Sequence, residues 1–272
     1  MSPEKLRRST FWTLLVGYGA YYLCRANLGV AVPLLKDELH LDKPALGRIT
    51  FVSTLAYAVG KFTLGPTADR LGGRRVFLLG LAVSIAANVA FGLSAGLGAL
   101  VVVWSVNRFA QSAGWMGLVQ LVSGWYEQRD YGLVMAWLSL SFLLGDVAAR
   151  GFGGVVLALG FGWRALFFAP AIVCALFLLI ASRTLEARPT TRPAIEDSVE
   201  RGASEPSFRD ILALLVKSRG FWTACVLSLL LTFLRTAFLD WTGLYFADSG
   251  ASEWSAALQS AAFPAAGVAG TL

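Results

Sequence analysis

The sequence is poor in charged residues, and the charges it has are unevenly spread. Only 15% of its 272 residues are charged and 56% are hydrophobic, with a mean hydropathy of +0.63. A soluble domain carries about 25% charged residues. The charges gather in short segments between apolar stretches of about 20 residues, a length that crosses a bilayer core of about 30 Å. This composition excludes an ordinary soluble domain and predicts several membrane spans.

Residues that bind metals or form disulfides are scarce as well. The one histidine is His40, and Cys24, Cys174 and Cys225 lie within apolar segments without metal or disulfide spacing. The sequence contains no recognisable set of nucleophile, base and orienting residue. We therefore expect no enzyme activity, metal or cofactor. The net charge of +6 is explained by basic cytoplasmic loops and does not indicate nucleic-acid binding.

Eight hydrophobic segments predict an all-α membrane protein. The first follows a basic N-terminus directly and is too long for a cleavable signal peptide. In hydrocarbon each segment must satisfy its backbone hydrogen bonds internally, so helices are expected. The predicted segments are residues 11–35, 46–67, 76–97, 100–124, 132–158, 163–182, 220–246 and 254–272.

The loop charges predict the orientation and the domains. If the helices alternate, the basic N-terminus, the basic loop after the second helix and the basic segment 185–219 share one side. The positive-inside rule makes that side cytoplasmic. We expect a six-helix bundle over residues 1–184, a cytoplasmic linker over 185–219 and the start of a second bundle over 220–272. The eighth segment has no flanking charge, so we expect the chain to be truncated within it.

A short internal repeat connects the two predicted bundles. Phe11-Trp12-Thr13 precedes Arg25, and Phe221-Trp222-Thr223 precedes Arg235 at the same spacing. The repeat is expected for two parallel six-helix halves. Charges inside membrane helices are costly and are functional by default, so the two arginines are the leading candidates for a binding site.

A glycine-rich basic motif follows the second segment. The run Gly65-Pro66-Thr67-Ala68-Asp69-Arg70-Leu71-Gly72-Gly73-Arg74-Arg75 resembles the signature between helices 2 and 3 of the major facilitator superfamily, with one extra residue near Gly73. The resemblance implies the facilitator fold: a six-helix N-terminal half and the first two helices of the second half. The expected conformational latch at the cytoplasmic helix ends consists of Asp69, Arg70, Arg74 and Arg75.

Four further segments resemble, in order, the organophosphate:phosphate antiporters of that superfamily, which include the glycerol-3-phosphate and hexose-phosphate transporters. They are the run from Gly17 to Asn27, Ala56-Tyr57 with Gly60-Lys61-Phe62, the run from Gln111 to Trp115, and Leu234-Arg235 with Leu239-Asp240-Trp241.

This narrower resemblance implies the function. It implies that Arg25 and Arg235 hold the substrate phosphate and that Lys61 supports them. The expected activity is secondary transport of phosphorylated organic anions in exchange for inorganic phosphate, by alternating access, in the inner membrane and as a monomer. Ala26 and Ser141 replace two basic residues of the glycerol-3-phosphate transporter, so the organic part of the substrate stays open.

Other polar and aromatic residues are weaker candidates. Asp146 and Arg150 stand at i and i+4, which favours a mutual salt bridge but leaves open a substrate-facing or proton-coupled Asp146. The aromatic candidates could equally be packing residues. The further candidate ligands are Tyr18, Tyr21, Tyr22, Gln111 and Trp115.

Two other functions share these features. A transporter-like receptor would bind a sugar phosphate and signal without moving it, and a facilitator-fold transporter could take another small organic anion. A drug or organic-cation exporter is disfavoured, because both intramembrane arginines are cations. The lipid bilayer, the anionic substrate and phosphate are the expected partners.

Overall fold

The computed structural model describes residues 3–186 and 208–271, and the regular structure in these ranges is α-helical. The helices are α1 (Pro3–Leu23), α2 (Asn27–Glu38), α3 (Lys43–Leu71), α4 (Gly73–Leu93), α5 (Leu97–Trp125), α6 (Gln128–Ala158), α7 (Ala165–Thr184), α8 (Phe208–Lys217), α9 (Arg219–Asp248), α10 (Glu253–Ser260) and α11 (Ala262–Thr271).

Six of the eight predicted segments form one helix each, namely α3 to α7 and α9. Among the described residues, four helices are long and apolar enough to cross a membrane, namely α4, α6, α7 and α9. The helices α1, α3 and α5 have 21, 29 and 29 residues and are long enough, but they are less apolar. Of these helices, α3 carries Lys61, and α5 carries Asn107, Arg108 and Gln111.

The first and the eighth predicted segments are each broken, and in this respect the expectation of one helix per segment was wrong. The first segment is interrupted by a turn over residues 24–26, between α1 and α2. The eighth is interrupted at Ala261, between α10 and α11. Pro264 explains the second break, because proline has no N–H to bond the carbonyl four residues earlier and its ring clashes with it.

The helix α5 packs along both α3 and α4, α1 packs on α6, α7 packs on α4, and α10 and α11 pack on α6. The contact between α4 and α5 is close enough to need glycine. A Cβ atom on Gly117 would lie 2.7 Å from the Gly73 carbonyl oxygen and 2.8 Å from the Phe77 nitrogen. Small residues at such contacts let membrane helices approach backbone to backbone, and here they bring α5 against its neighbours.

The chain divides into two compact units, one of Met1–Arg188 with Leu239–Leu272 and one of Pro189–Phe238. The division into a bundle, a linker and a second bundle stays a prediction. Residues 187–207 of the predicted linker lie outside the described residues. The end of that predicted linker forms α8.

Candidate anion-binding site

The break between α1 and α2 is held by side-chain amides from two other helices. The Cys24 carbonyl oxygen accepts hydrogen bonds from Asn88 Nδ2 at 3.1 Å, Asn107 Nδ2 at 2.9 Å and Gln111 Nε2 at 3.3 Å. Asn88 belongs to α4, and the other two belong to α5. A carbonyl freed by a helix break inside a membrane must find such partners, so these amides stabilise the break.

The amides also bond to one another and to nearby polar groups, which makes them one buried network. Ser84 Oγ donates to Asn107 Oδ1 at 2.6 Å, and Asn27 Nδ2 donates to Asn88 Oδ1 at 2.7 Å. Gln111 Nε2 also donates to the Tyr21 carbonyl at 3.0 Å. At most 3% of each of these polar side chains is exposed. The Gln111 amide supports the break, and the role of Gln111 as a substrate ligand stays a prediction.

Three cationic side chains surround one aromatic ring beside this break. Lys61 and the ring itself come from α3, and Arg108 comes from α5, one residue after Asn107. The Arg25 guanidinium carbon lies 4.7 Å from the Tyr57 ring centroid, Lys61 Nζ lies at 5.1 Å, and the Arg108 guanidinium carbon lies at 4.9 Å. The structure thus brings the predicted Arg25 and Lys61 together and adds a third cation.

The three cations repel one another, and the ring that they share attracts each of them. Because each lies about 5 Å from one centroid, no two can be more than about 10 Å apart. At that separation two unit charges repel by about 1.7 kcal/mol in an effective dielectric of about 20, which is about 5 kcal/mol for three pairs. Each cation–π contact contributes about 0.5 to 2 kcal/mol, so the three contacts together are comparable with the repulsion. An anion bound among the three cations would add attraction to each of them.

The Asp240 carboxylate on α9 acts on two members of this cluster, Arg108 and Arg25, and also on Arg150. Its single charge is therefore shared among three arginines. Among the described residues three cations contact the Tyr57 ring, and Asp240 offsets part of their charge.

The aromatic candidates divide into two groups. Tyr22 lies with its ring centroid 5.2 Å from the Arg25 guanidinium carbon, and Tyr18 makes ring contacts with Tyr22 at 5.8 Å and with Trp115 at 5.4 Å. These three form one wall beside Arg25. Tyr21 instead packs against Phe77 and donates its hydroxyl to the Phe77 carbonyl at 2.5 Å, so its donor serves the packing of α1 on α4.

The other intramembrane arginine of this unit is fully engaged. Arg150 Nε lies 2.9 Å from Asp146 Oδ2, its Nη1 donates to Ser260 Oγ at 2.9 Å, and its Nη2 donates to the Leu239 carbonyl at 2.7 Å. Arg150 and Asp146 are 1% and 4% exposed. The salt bridge that the i, i+4 spacing favours is present, and it ties α6 to α9 and α10.

The basic motif after α3 is built around close backbone contacts. Arg74 donates from Nε to the Leu185 carbonyl at 2.5 Å and from Nη2 to the Ser182 carbonyl at 2.6 Å, at the end of α7. A Cβ on Gly73 would lie 2.5 Å from the Gly117 carbonyl oxygen, which explains why the extra residue of this motif is glycine. Three members of the predicted latch are exposed, namely Asp69, Arg70 and Arg75. The latch itself stays a prediction.

Arg235 lies half-buried on α9 in the second unit. The phosphate clamp that the repeat and the resemblance predict for it with Arg25 stays a prediction.

Sequence reasoning missed Arg108 and the central position of Tyr57. Arg108 had a clear signal, since it is an arginine inside the predicted segment 100–124. Tyr57 was noted only as part of the resemblance, and its place among three cations depends on how α3 and α5 are rotated. The amides of Asn88 and Asn107 had no sequence signal, because isolated polar residues in apolar helices are common.

Long apolar helices around a buried amide network and a cationic cluster are typical of a helical membrane protein with a polar interior. The sequence profile of the Major Facilitator Superfamily matches residues 14–272, and the chain belongs to that family of integral membrane transporters. The fold and the family predicted from the sequence are thereby confirmed.

The curated relatives carry the names of organophosphate transporters and a sensor. The chain is 28% identical over 266 residues to the probable hexose phosphate transport protein of Chlamydia trachomatis, covering 89% of this chain and 58% of the relative. It is 23% identical to the glycerol-3-phosphate transporter of Bacillus subtilis (99% and 64%) and 26% identical to the membrane sensor protein UhpC of Escherichia coli (89% and 58%). The chain thus spans about three fifths of the length of these relatives.

A solved structure has the same fold. A bacterial homologue of the human lysosomal transporter Spinster, inward-facing and unoccupied, matches with a TM-score of 0.81 at 18% identity, over 97% of this chain and 61% of that one. At this identity the likeness concerns the fold alone.

Proposed function

We propose that the protein is a secondary transporter of phosphorylated organic anions that exchanges them for inorganic phosphate by alternating access. The observation that carries this proposal is the cluster of Arg25, Lys61 and Arg108 around the Tyr57 ring, beside a break in the first membrane segment. The names of the curated relatives support the same substrate class.

The chemistry of phosphate suits these side chains. A phosphate monoester carries up to two negative charges and several acceptor oxygens, and arginine offers a fixed fork of donors that stays protonated. Arg25 and Arg235, as equivalent positions in two halves, form the proposed clamp at the interface of two moving bundles. Lys61 adds a third charge.

Exchange follows from the repulsion in the empty site. Without an anion, the cations around Tyr57 oppose any closure that brings further positive charge near them. A bound phosphate or phosphate ester removes this repulsion, so the loaded protein changes between its two states more readily than the empty one. Such a protein returns across the membrane only when it carries an anion, which gives obligatory exchange.

Counterflow in proteoliposomes tests this proposal. Vesicles loaded with inorganic phosphate and containing the intact protein are expected to take up labelled phosphate, and an external phosphate ester is expected to compete with it. Arg25→Lys keeps the charge but loses the fork, and is expected to reduce the exchange rate by about tenfold or more. Vesicles that show no phosphate-dependent uptake with any ester would contradict the proposal.

The orientation, the membrane and the oligomeric state that we propose are based on the loop charges and on the family. The N-terminus faces the cytoplasm, the protein lies in the inner membrane, and it works as a monomer. A cysteine placed in the N-terminal segment and labelled by an impermeant reagent tests the orientation, because it should react only in inverted vesicles.

A sugar-phosphate sensor is the second candidate, favoured by the similarity to UhpC. Such a protein would bind phosphate esters with the same cations and would show no counterflow. Ester binding by detergent-solubilised protein, combined with counterflow of the same preparation, separates the two functions.

A further inference from the structure

Arg108 is a cation that the phosphate group alone does not need. The residues that the proposed function assigns to phosphate, Arg25 and Arg235 with Lys61, already carry at least the two charges needed to match a phosphate monoester. Arg108 contacts the same Tyr57 ring at 4.9 Å from the opposite helix, α5. It therefore brings a further positive charge to the site.

The helix turn that carries Arg108 is held by contacts that need no ligand. The preceding residue, Asn107, is buried and bonds both the Cys24 carbonyl and Ser84. Those contacts hold this turn of α5 against the helix break that carries Arg25. Arg108 is thus pre-positioned next to the proposed phosphate subsite, as a binding residue should be.

Among the described residues, Asp240 is the carboxylate that acts most strongly on Arg108. Within the described residues no ion pair of 4.0 Å or less joins the two side chains, in contrast with Arg150 and Asp146 at 2.9 Å. Asp240 also acts on Arg150 and Arg25, so its charge is shared among several cations. A ligand carboxylate bound directly to the Arg108 fork would be a stronger partner than Asp240, which makes no ion pair with it.

We propose that Arg108 forms a second anion subsite, which binds a carboxylate carried by the phosphorylated substrate. This inference rests on the proposed function and narrows it. The substrate class becomes phosphate esters of hydroxy acids, with the phosphate on Arg25 and Lys61 and the carboxylate on Arg108. An ester whose organic part is neutral would leave the Arg108 charge without a partner.

A matched pair of probes tests this subsite. 3-Phosphoglycerate and glycerol 3-phosphate differ only in a carboxylate in place of a hydroxymethyl group. The intact protein is titrated with each in detergent, and each is then used to compete with labelled phosphate in counterflow. We expect 3-phosphoglycerate to bind at least about tenfold more tightly. In Arg108→Gln this preference should fall to less than about threefold, because only the carboxylate contact is lost.

The control variants separate the subsite from a structural role. Arg48→Gln removes the same charge from an exposed position on α3 and should leave the affinities for both probes unchanged. Arg108→Lys keeps the charge and should restore part of the preference. Asp240→Asn removes the competing carboxylate and should increase the affinity for 3-phosphoglycerate.

The results distinguish failure of the Arg108 subsite from failure of the proposed transport function. If the parent protein exchanges phosphate with both probes and prefers neither, the subsite is overturned while organophosphate transport stands. The subsite is also overturned if Arg108→Gln weakens both probes equally. If neither probe nor phosphate binds or exchanges, the proposed function itself fails.

Discussion

Two groups of charged side chains lie within the same unit of this protein, and they are built in opposite ways. The guanidinium group of Arg150 is compensated: a carboxylate, a hydroxyl and a backbone carbonyl all lie within 2.9 Å of its nitrogens. Around Tyr57, three cations share one ring, and the Asp240 carboxylate, which acts on Arg108 and Arg25, is shared with Arg150.

The difference separates a structural charge from a binding charge. A compensated pair stabilises helix contacts, and removing one partner exposes the cost of the other. An excess of like charge costs stability, so a protein retains it only where an anion arrives to balance it. Substitutions in the first group should therefore affect stability, and substitutions in the second should affect binding.

The largest expected effect is the loss of stability caused by Arg150→Met. This change leaves the buried Asp146 without its cation and should destabilise the protein by about 3 to 5 kcal/mol. Thermal or denaturant unfolding in detergent measures it. The double variant Asp146→Leu/Arg150→Met should recover most of the loss. An unchanged unfolding midpoint in the single variant would mean that the pair is not structural.

The complementary substitution is Arg25→Gln. Removing one of three repelling cations should leave the unfolding midpoint unchanged or raise it, while phosphate exchange falls on the order of 100-fold because a desolvated charge contact is lost. Counterflow and unfolding are measured on the same preparation. A variant that is strongly destabilised but still binds phosphate normally would reverse the assignment of the two groups.

A smaller effect is expected from a substitution in the amide network that holds the helix break. Asn107→Leu removes one of three donors to the Cys24 carbonyl and should cost about 1 kcal/mol of stability. It should also weaken phosphate binding by about tenfold, because the break that carries Arg25 is less well held. Ser105→Ala, on the same helix, removes only a bond to the Val101 carbonyl and is the matched control. Equal effects of the two variants would argue against the network.

The smallest expected effect is the contribution of exposed ion pairs to stability. These pairs join Glu38 to Arg164, and Asp248 to Lys36 and Lys43. Hydrogen bonds from Arg164 lower the pKa of Glu38, and hydrogen bonds from Lys36 and Lys43 lower the pKa of Asp248. Since the folded-state pKa is the lower one, these pairs stabilise the protein above the ordinary carboxyl pKa of about 4, and the stabilisation is lost as pH falls through the lowered value.

This pH dependence is measured as the unfolding midpoint between about pH 6 and pH 3. The variant Lys36→Gln/Lys43→Gln should lose less stability on acidification than the parent, because Asp248 no longer has cations to lose. Identical acid profiles of the parent and the variant would show that the Asp248 ion pairs contribute nothing to stability.

The sequence predicted the helices well because apolar runs of membrane length are a local signal. It could not predict the break at residues 24–26, since the donors that hold it, Asn88, Asn107 and Gln111, are more than 60 residues away along the chain. It identified Arg25 and Lys61 through the family resemblance. The break at Ala261 was predictable from Pro264, and Arg108 was predictable as a costly intramembrane charge, but neither was recognised.

The most direct test of the account is calorimetric titration of inorganic phosphate into the detergent-solubilised protein, with Arg25→Gln, Lys61→Gln and the double variant Asp146→Leu/Arg150→Met alongside the parent. We predict that Arg25→Gln and Lys61→Gln lose phosphate affinity and that the double variant keeps it. Phosphate binding that survives loss of Arg25 and Lys61, or that disappears with the Asp146–Arg150 pair, would contradict the claim that the cations around Tyr57 form the anion site.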